Sequence, residues 1–118
     1  MGYRHFYALV IDGKVNLMLS EKFSHSAGKE PRTMIGQKAD GTFILAVVDG
    51  RSTVSAGMTA HEQAEFMLSM GCINAVNLDG GGSSTMVITR AGKPLVYNSP
   101  SDNGVERAVG SVILVKEV

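Results

Sequence analysis

Cys72 is the only cysteine in the 118-residue chain, and that scarcity removes two classes at once. A disulfide framework needs cysteine pairs, and a multi-cysteine zinc site needs several thiolates. Cys72 follows Gly71 beside apolar residues and reads as a small buried filler. Net charge is lacking too, because eleven Lys and Arg balance eleven Asp and Glu. Such a balance provides no field for gripping nucleic acid or an anionic membrane. No apolar run reaches membrane-spanning length, and the N-terminus has neither the basic nor the apolar part of a signal peptide. Met1-Gly2 opens like a myristoylation site, yet Phe6 stands where Ser or Thr is required. These absences predict a cytoplasmic protein without nucleic-acid or membrane partners. Repeats and low-complexity tracts are absent. So are a Gly-x-Ser-x-Gly elbow and a Ser/His/Asp constellation.

What is present fits a single domain over residues 1–118, with 44% hydrophobic residues and enough chain for a modest core. Phe6 to Ile11 is β-rich, Asp12-Gly13 is a hairpin signal, and Lys14 to Leu19 reads as the return strand, with Val15, Leu17 and Leu19 on one face. Glu21 to Lys29 reads as a loop in which His25 is solvated. Arg32 to Gly36 reads as a short strand. Asp40-Gly41 turns into Thr42–Val48, apolar on both faces and so expected at the centre of a sheet. Thr59-Ala60-His61-Glu62 is a capping box opening a helix that Gly71 stops, with Ala60, Ala64, Met67 and Leu68 as its apolar stripe. Strand, helix and strand from Thr42 to Leu78 predict a crossover. Thr85–Thr89 and Lys93–Tyr97 predict a hairpin across Ala91-Gly92, and Ala108–Val115 a final strand. The class is α+β or α/β, a mixed sheet with one main helix.

The centre of the chain is Asn77-Leu78-Asp79-Gly80-Gly81-Gly82-Ser83-Ser84-Thr85. It reads as a buried strand, a glycine turn and a second strand. Adjacent glycines let several backbone N–H groups point at one place, a nest for an anion such as phosphate, while the hydroxyls add donors. Asp79 supplies a carboxylate at the mouth, and Asp49, in Asp49-Gly50-Arg51, supplies another at a strand end. Glu62 is a third carboxylate, although capping already accounts for it. Arg32, Arg51 and Arg107 flank apolar strands, and guanidinium forks bind phosphate or carboxylate bidentately. The loop lacks the lysine and following helix of a P-loop, and its glycines are adjacent rather than spaced as in a dinucleotide fingerprint. Paired acids serve acid–base chemistry or hold a divalent cation. A cofactor, if there is one, is therefore expected to be calcium or magnesium on Asp49 or Asp79.

An ordered series runs through most of the chain: Pro31-Arg32-Thr33 with Gly36, Val48-Asp49-Gly50-Arg51, Gly57-Met58-Thr59 with Glu62, the Asn77–Thr85 segment, then Asn98, Pro100 and Arg107. It resembles the phosphodiester glycosidase family, the uncovering-enzyme family. The resemblance implies cleavage of a sugar-1-phosphodiester or nucleotide-sugar phosphodiester between the anomeric carbon and phosphate. It implies that Arg32, Thr33, Arg51 and Arg107 hold the phosphate and its flanking groups. Asp79 and Asp49, with Glu62 behind them, are the implied catalytic carboxylates. Gly80, Gly81, Gly82, Ser83, Ser84 and Thr85 would form the pocket floor. Family members usually carry a longer upstream region with an Asn-x-Gly-Phe-Phe-like motif, and the residues before Arg32 do not match it. Two expectations follow: a minimal enzyme that completes its site as a homo-oligomer, or a module that binds and sequesters a phosphodiester nucleotide or sugar without cleaving it. A structural fragment with no ligand is the third reading.

Overall fold

In the computed structural model, residues 6–19 and 28–118 are described. The His25 loop therefore lies outside the described residues. Among the described residues seven strands are defined: β1 (Tyr7–Ile11), β2 (Lys14–Val15), β3 (Arg32–Lys38), β4 (Phe43–Val48), β5 (Cys72–Asn77), β6 (Val87–Arg90) and β7 (Lys93–Val96). Helix α1 spans Ala60–Ser69, and Gly81–Ser83 forms a 3-10 turn. The main sheet has the order β2-β1-β5-β3-β4, and β6 with β7 makes a separate hairpin. Every neighbouring pair is antiparallel. The fold is α+β.

β4 and β5 both run antiparallel to β3, so they share a direction with β3 between them. The β4–α1–β5 stretch is thus the expected crossover, but β4 is an edge strand rather than a central one. It ends the strand order with β3 as its one neighbour among the described residues, and its faces differ: Ile44, Ala46 and Val48 pack on the core, whereas Phe43 is 62% exposed. An apolar run with both faces oily does not require both faces to be covered within the same domain.

Helix α1 buries Ala60, Gln63, Ala64 and Met67, a stripe at i, i+3, i+4 and i+7. Leu68 is only half-buried and Met70 is exposed. The capping box is formed as expected, with Thr59 Oγ1 accepting from the Glu62 N–H at 3.1 Å and Glu62 Oε1 accepting from the Thr59 N–H at 3.0 Å. Across from the helix lie Leu9, Val10, Met34 and Ala75. A bulge between Ala8 and Val10 leaves Leu9 as the extra residue opposite β5. It lets two successive residues, Leu9 and Val10, both reach the core.

Two expected strands are shorter or missing. β2 ends at Val15, and Leu17 is 86% exposed, so Val15, Leu17 and Leu19 share no face. Residues 108–118 form no strand, and Val112 to Val115 are exposed. β-propensity there finds no neighbouring strand to pair with among the described residues.

Candidate functional site

β5 delivers the site. Its last residue, Asn77, is buried, and the next N–H, on Leu78, donates to Thr33 O at 2.8 Å. The chain then folds over Pro31. The Gly81 N–H donates to Pro31 O at 2.9 Å, and those of Ser83 and Ser84 donate to Gly80 O and Gly81 O, both at 3.1 Å. This corrects the expected open nest. Three N–H groups of the loop are consumed in tying it to β3 and to itself, and the next strand starts only at Val87.

The glycines instead make room for arginines. A Cβ on Gly82 would overlap the Arg107 guanidinium and lie 2.6 Å from Asp102 Oδ1. A Cβ on Gly81 would come within 3.2 Å of Arg51 Nη2, at a backbone φ of +57°. Two guanidiniums therefore lie against the loop backbone, Arg107 where a side chain on Gly82 would overlap it and Arg51 beside Gly81, whose positive φ favours glycine. Each is oriented by its own carboxylate. Arg51 Nε donates to Glu30 Oε2 at 2.7 Å. Arg107 Nε donates to Asp102 Oδ2 at 2.8 Å and its Nη2 to Asp102 Oδ1 at 3.1 Å, a two-pronged fork. That hydrogen bond holds the Asp102 carboxyl below its ordinary value, with the Arg107 and Arg51 charges assisting. Arg107 is raised, first by its bond to Asp102, then by the Asp102 charge, and least by the charge of Asp79.

Arg32 is buried at 4% exposure. Its Nε donates to Met58 O and its Nη2 to Gly28 O, both at 2.8 Å, and its Nη1 to Tyr7 Oη at 3.3 Å. These bonds clamp the segment around Gly28, the Met58 loop and β1 behind the site. Burial pushes the Tyr7 hydroxyl up, partly offset by the Arg32 charge.

A pocket of about 300 Å³ is lined by Glu30, Pro31, Arg32, Arg51, Asn77, Asp79, Gly80, Gly81, Gly82, Ser83 and Arg107. Most of the residues singled out in the sequence meet there, with Asp79 exposed at its mouth. Others stand elsewhere. Asp49 Oδ1 accepts from the Ser99 N–H at 2.9 Å, clasping the 98–100 loop to the end of β4. Glu62 caps α1 and pairs with Lys29 at 3.2 Å. Ser84 is buried, and its carbonyl accepts from Asn98 Nδ2 at 2.8 Å. Thr33, Ser84 and Thr85 are not on the pocket wall. Glu30 and Asp102 escaped the sequence reading, and Asn77, which opens the central segment, was given no role at the site. Asp102, five positions before Arg107, was within reach of that reading, whereas the Glu30–Arg51 pair spans 21 positions. Among the described residues no group of three or more His, Cys, Asp or Glu side chains is placed to hold a metal ion.

Comparison with known proteins places this geometry. A model of the phosphodiester glycosidase family matches residues 2–116. The chain is 43% identical over 107 residues to the SPbeta prophage-derived uncharacterized protein YomE of Bacillus subtilis, covering 91% of this chain and 16% of that one. It is 39% identical over 88 residues to human N-acetylglucosamine-1-phosphodiester alpha-N-acetylglucosaminidase, covering 73% of this chain and 17% of that enzyme. The chain thus spans about a sixth of the length of these curated relatives. Among solved structures, the zebrafish N-acetylglucosamine-1-phosphodiester alpha-N-acetylglucosaminidase catalytic domain, auto-inhibited by its pro-peptide, superposes with a TM-score of 0.64 at 30% identity, over 86% of this chain and 38% of that one. An exported protein of Burkholderia pseudomallei superposes with a TM-score of 0.62 at 47% identity, over 70% of this chain and 15% of that one.

Proposed function

The chain belongs to the phosphodiester glycosidase family, and from that premise we propose that its pocket binds a sugar-1-phosphodiester or nucleotide-sugar phosphodiester and hydrolyses it at the anomeric carbon. The observation that carries the reading is the placement of Arg51 and Arg107 on the glycine loop, in one pocket with the Asp79 carboxylate. In this reading the two guanidiniums take the phosphate oxygens, with their planes preset by Glu30 and Asp102. The bond from the anomeric carbon to the bridging oxygen breaks, and its electron pair leaves with the phosphate monoester. The guanidiniums offset the charge that develops on that leaving group. The Asp79 carboxylate faces the oxocarbenium-like centre and stabilises its positive charge. Water adds to the same carbon, loses a proton to the carboxylate, and leaves the sugar as a hemiacetal. Arg32 shapes the back wall rather than reaching for the ligand, because its donors serve Met58, Gly28 and Tyr7.

Capture without cleavage is the second reading. It is favoured by the placement of Asp49 and Glu62 away from the pocket, which leaves Asp79 and Glu30 as its lining carboxylates. Glu30 is already paired with Arg51. Assembly into a homo-oligomer belongs to the proposal as well, and sedimentation equilibrium at monomer mass would remove it. A phosphorus-31 NMR time course tests the main reading. The panel holds a sugar-1-phosphodiester, a nucleotide-sugar and a cyclic nucleotide, each with and without calcium or magnesium. A diester signal replaced by a monoester signal supports hydrolysis. A signal that shifts or broadens without conversion supports capture, and one that never changes removes both.

A further inference from the structure

Arg51 and Arg107 each reach the glycine loop already bound to a carboxylate. Arg51 Nε donates to Glu30 Oε2 at 2.7 Å, and Arg107 donates to both oxygens of Asp102, at 2.8 and 3.1 Å. Orientation alone does not require this. Backbone carbonyls also orient a guanidinium, as Met58 O and Gly28 O do for Arg32. A carbonyl leaves the charge of the cation intact, whereas a carboxylate cancels it. Around the pocket the arginines Arg32, Arg51 and Arg107 meet as many carboxylates, Glu30 and Asp79 on the wall and Asp102 bound to Arg107. These charges share one field. Asp102 is lowered first by its bond to Arg107 and last by the Arg51 charge, and Arg107 is raised first by Asp102 and last by the Asp79 charge. Among the described residues no histidine lines the pocket, and its charge is no better than neutral.

A neutral pocket treats one phosphate charge and two differently. A phosphodiester carries one negative charge, whereas a phosphate monoester carries about 1.5 to 2 at pH 7, its second pKa being about 6. Unpaired arginine forks would gain from the second charge. Here that charge would leave water with no net positive charge to meet it, and it would face the carboxylates as well. In the transition state the second phosphate charge is matched by the positive anomeric carbon, so the total that the pocket meets is unchanged. Only the finished monoester, once the proton from water has passed to solvent, presents two charges unmatched. We propose that Glu30 and Asp102 are specificity-determining residues: by pairing with Arg51 and Arg107 they keep the pocket from exceeding neutrality, so that it accepts the singly charged diester and lets go of the doubly charged monoester that cleavage leaves. This rests on the pocket being the phosphodiester site.

The test titrates the full chain with dimethyl phosphate and methyl phosphate, a diester and a monoester that differ by one methyl group and one charge and hold no glycosidic bond to cleave. Binding is followed by the Arg51 and Arg107 Nε–H resonances in nitrogen-15 NMR, at about pH 8 and about pH 5, on either side of the monoester's second pKa. At the higher pH methyl phosphate should bind no more tightly than dimethyl phosphate. At the lower pH, where methyl phosphate has taken up a proton, the two affinities should converge. Dimethyl phosphate keeps its single charge throughout and reports any change in the pocket itself. Glu30→Gln and Asp102→Asn keep an oxygen to accept from the arginine but remove a negative charge. Each should raise the affinity for methyl phosphate relative to dimethyl phosphate at the higher pH by about fivefold, the weight of one unit charge felt by another at about 4 Å in water. Weaker binding of both probes with an unmoved ratio would mean that the carboxylates only orient the arginines, and would overturn the proposal. A preference of about fivefold or more for methyl phosphate at the higher pH in the unsubstituted protein would overturn it too, and needs no variant to fold. That result leaves the pocket standing as a phosphate site and removes the proposal alone. If neither probe binds, the functional reading falls and the proposal falls with it.

Discussion

Gly82 is where single atoms decide most. It is buried, and a methyl group there would occupy the space of the Arg107 guanidinium. Gly82→Ala is expected to push Arg107 off the loop and to cost about 2 kcal/mol of diester binding, the worth of a charge-assisted hydrogen bond. Isothermal titration measures this, and binding within a factor of two of the unsubstituted protein would contradict it. The Asp102–Arg107 fork also sets a pH dependence. Asp102 titrates below its ordinary 3.8 because Arg107 bonds to its ionised form. A depressed carboxyl contributes fully above its unfolded value and loses that contribution as pH falls through the lower, folded one. The fork should therefore open at a lower pH than an ordinary aspartate would protonate. A carbon-13 titration of the Asp102 carboxyl with a midpoint at or above 3.8 would show the fork to be absent.

At this scale the sequence reading went as far as local chemistry reaches. Asp79, Arg51, Arg107 and the glycines could be picked out because their residue types in that order have few other uses. Of their carboxylate partners, Asp102 lay within local reach of Arg107, but Glu30 could not be picked out, because its ion pair with Arg51 depends on how two distant segments meet. Asp49 had the same strand-end signature as Asp79, but its bond to the Ser99 N–H gives it a loop to hold instead.

Among the elements, α1 was the most legible, since a capping box and a 3.6-residue apolar period are both local signals. Thr59→Ala removes the side-chain acceptor for the Glu62 N–H and should cost about 1 kcal/mol of stability. Urea denaturation tests this, and a loss under a few tenths of a kcal/mol would mean that the cap contributes little. The same periodicity missed Gln63, because a polar residue in a buried stripe looks like an error until its bond to Asn77 is known. The glycine loop lines the pocket as the sequence suggested, but several of its backbone donors are bound within the fold. Whether they face a ligand or Pro31 is settled by β3 passing beneath, which no local pattern records. Residues 108–115 show the opposite failure, a strand-like composition without a strand beside it.

In the whole molecule, helix α1 covers one face of the main sheet, and the other carries a register-aligned row of Leu45, Ile35, Val76 and Ala8. Leu45 and Val76 are 38% and 39% exposed, and Phe43 stands nearby on the open β4 edge. Such an edge invites pairing with other chains. Phe43→Lys should change unfolding free energy by less than about 0.5 kcal/mol, as exposed positions do, while raising solubility. A loss above about 2 kcal/mol would show Phe43 to be buried in solution, as a core residue is. The hairpins and the crossover followed from turn signals and the helix between strands, whereas the antiparallel pairing of β5 with β1 and β3, in place of a mixed sheet, and the edge position of β4 did not. Its composition is that of a strand covered on both sides.

The central claim is cleavage at the anomeric carbon, and the position of an oxygen isotope tests it most directly. The diester is hydrolysed in water enriched in oxygen-18, and the phosphate monoester is observed by phosphorus-31 NMR. The account predicts a monoester signal without the isotope shift, since the new oxygen enters the sugar, and no conversion by folded Asp79→Ala. A monoester carrying oxygen-18 would place the break at phosphorus and contradict the claim.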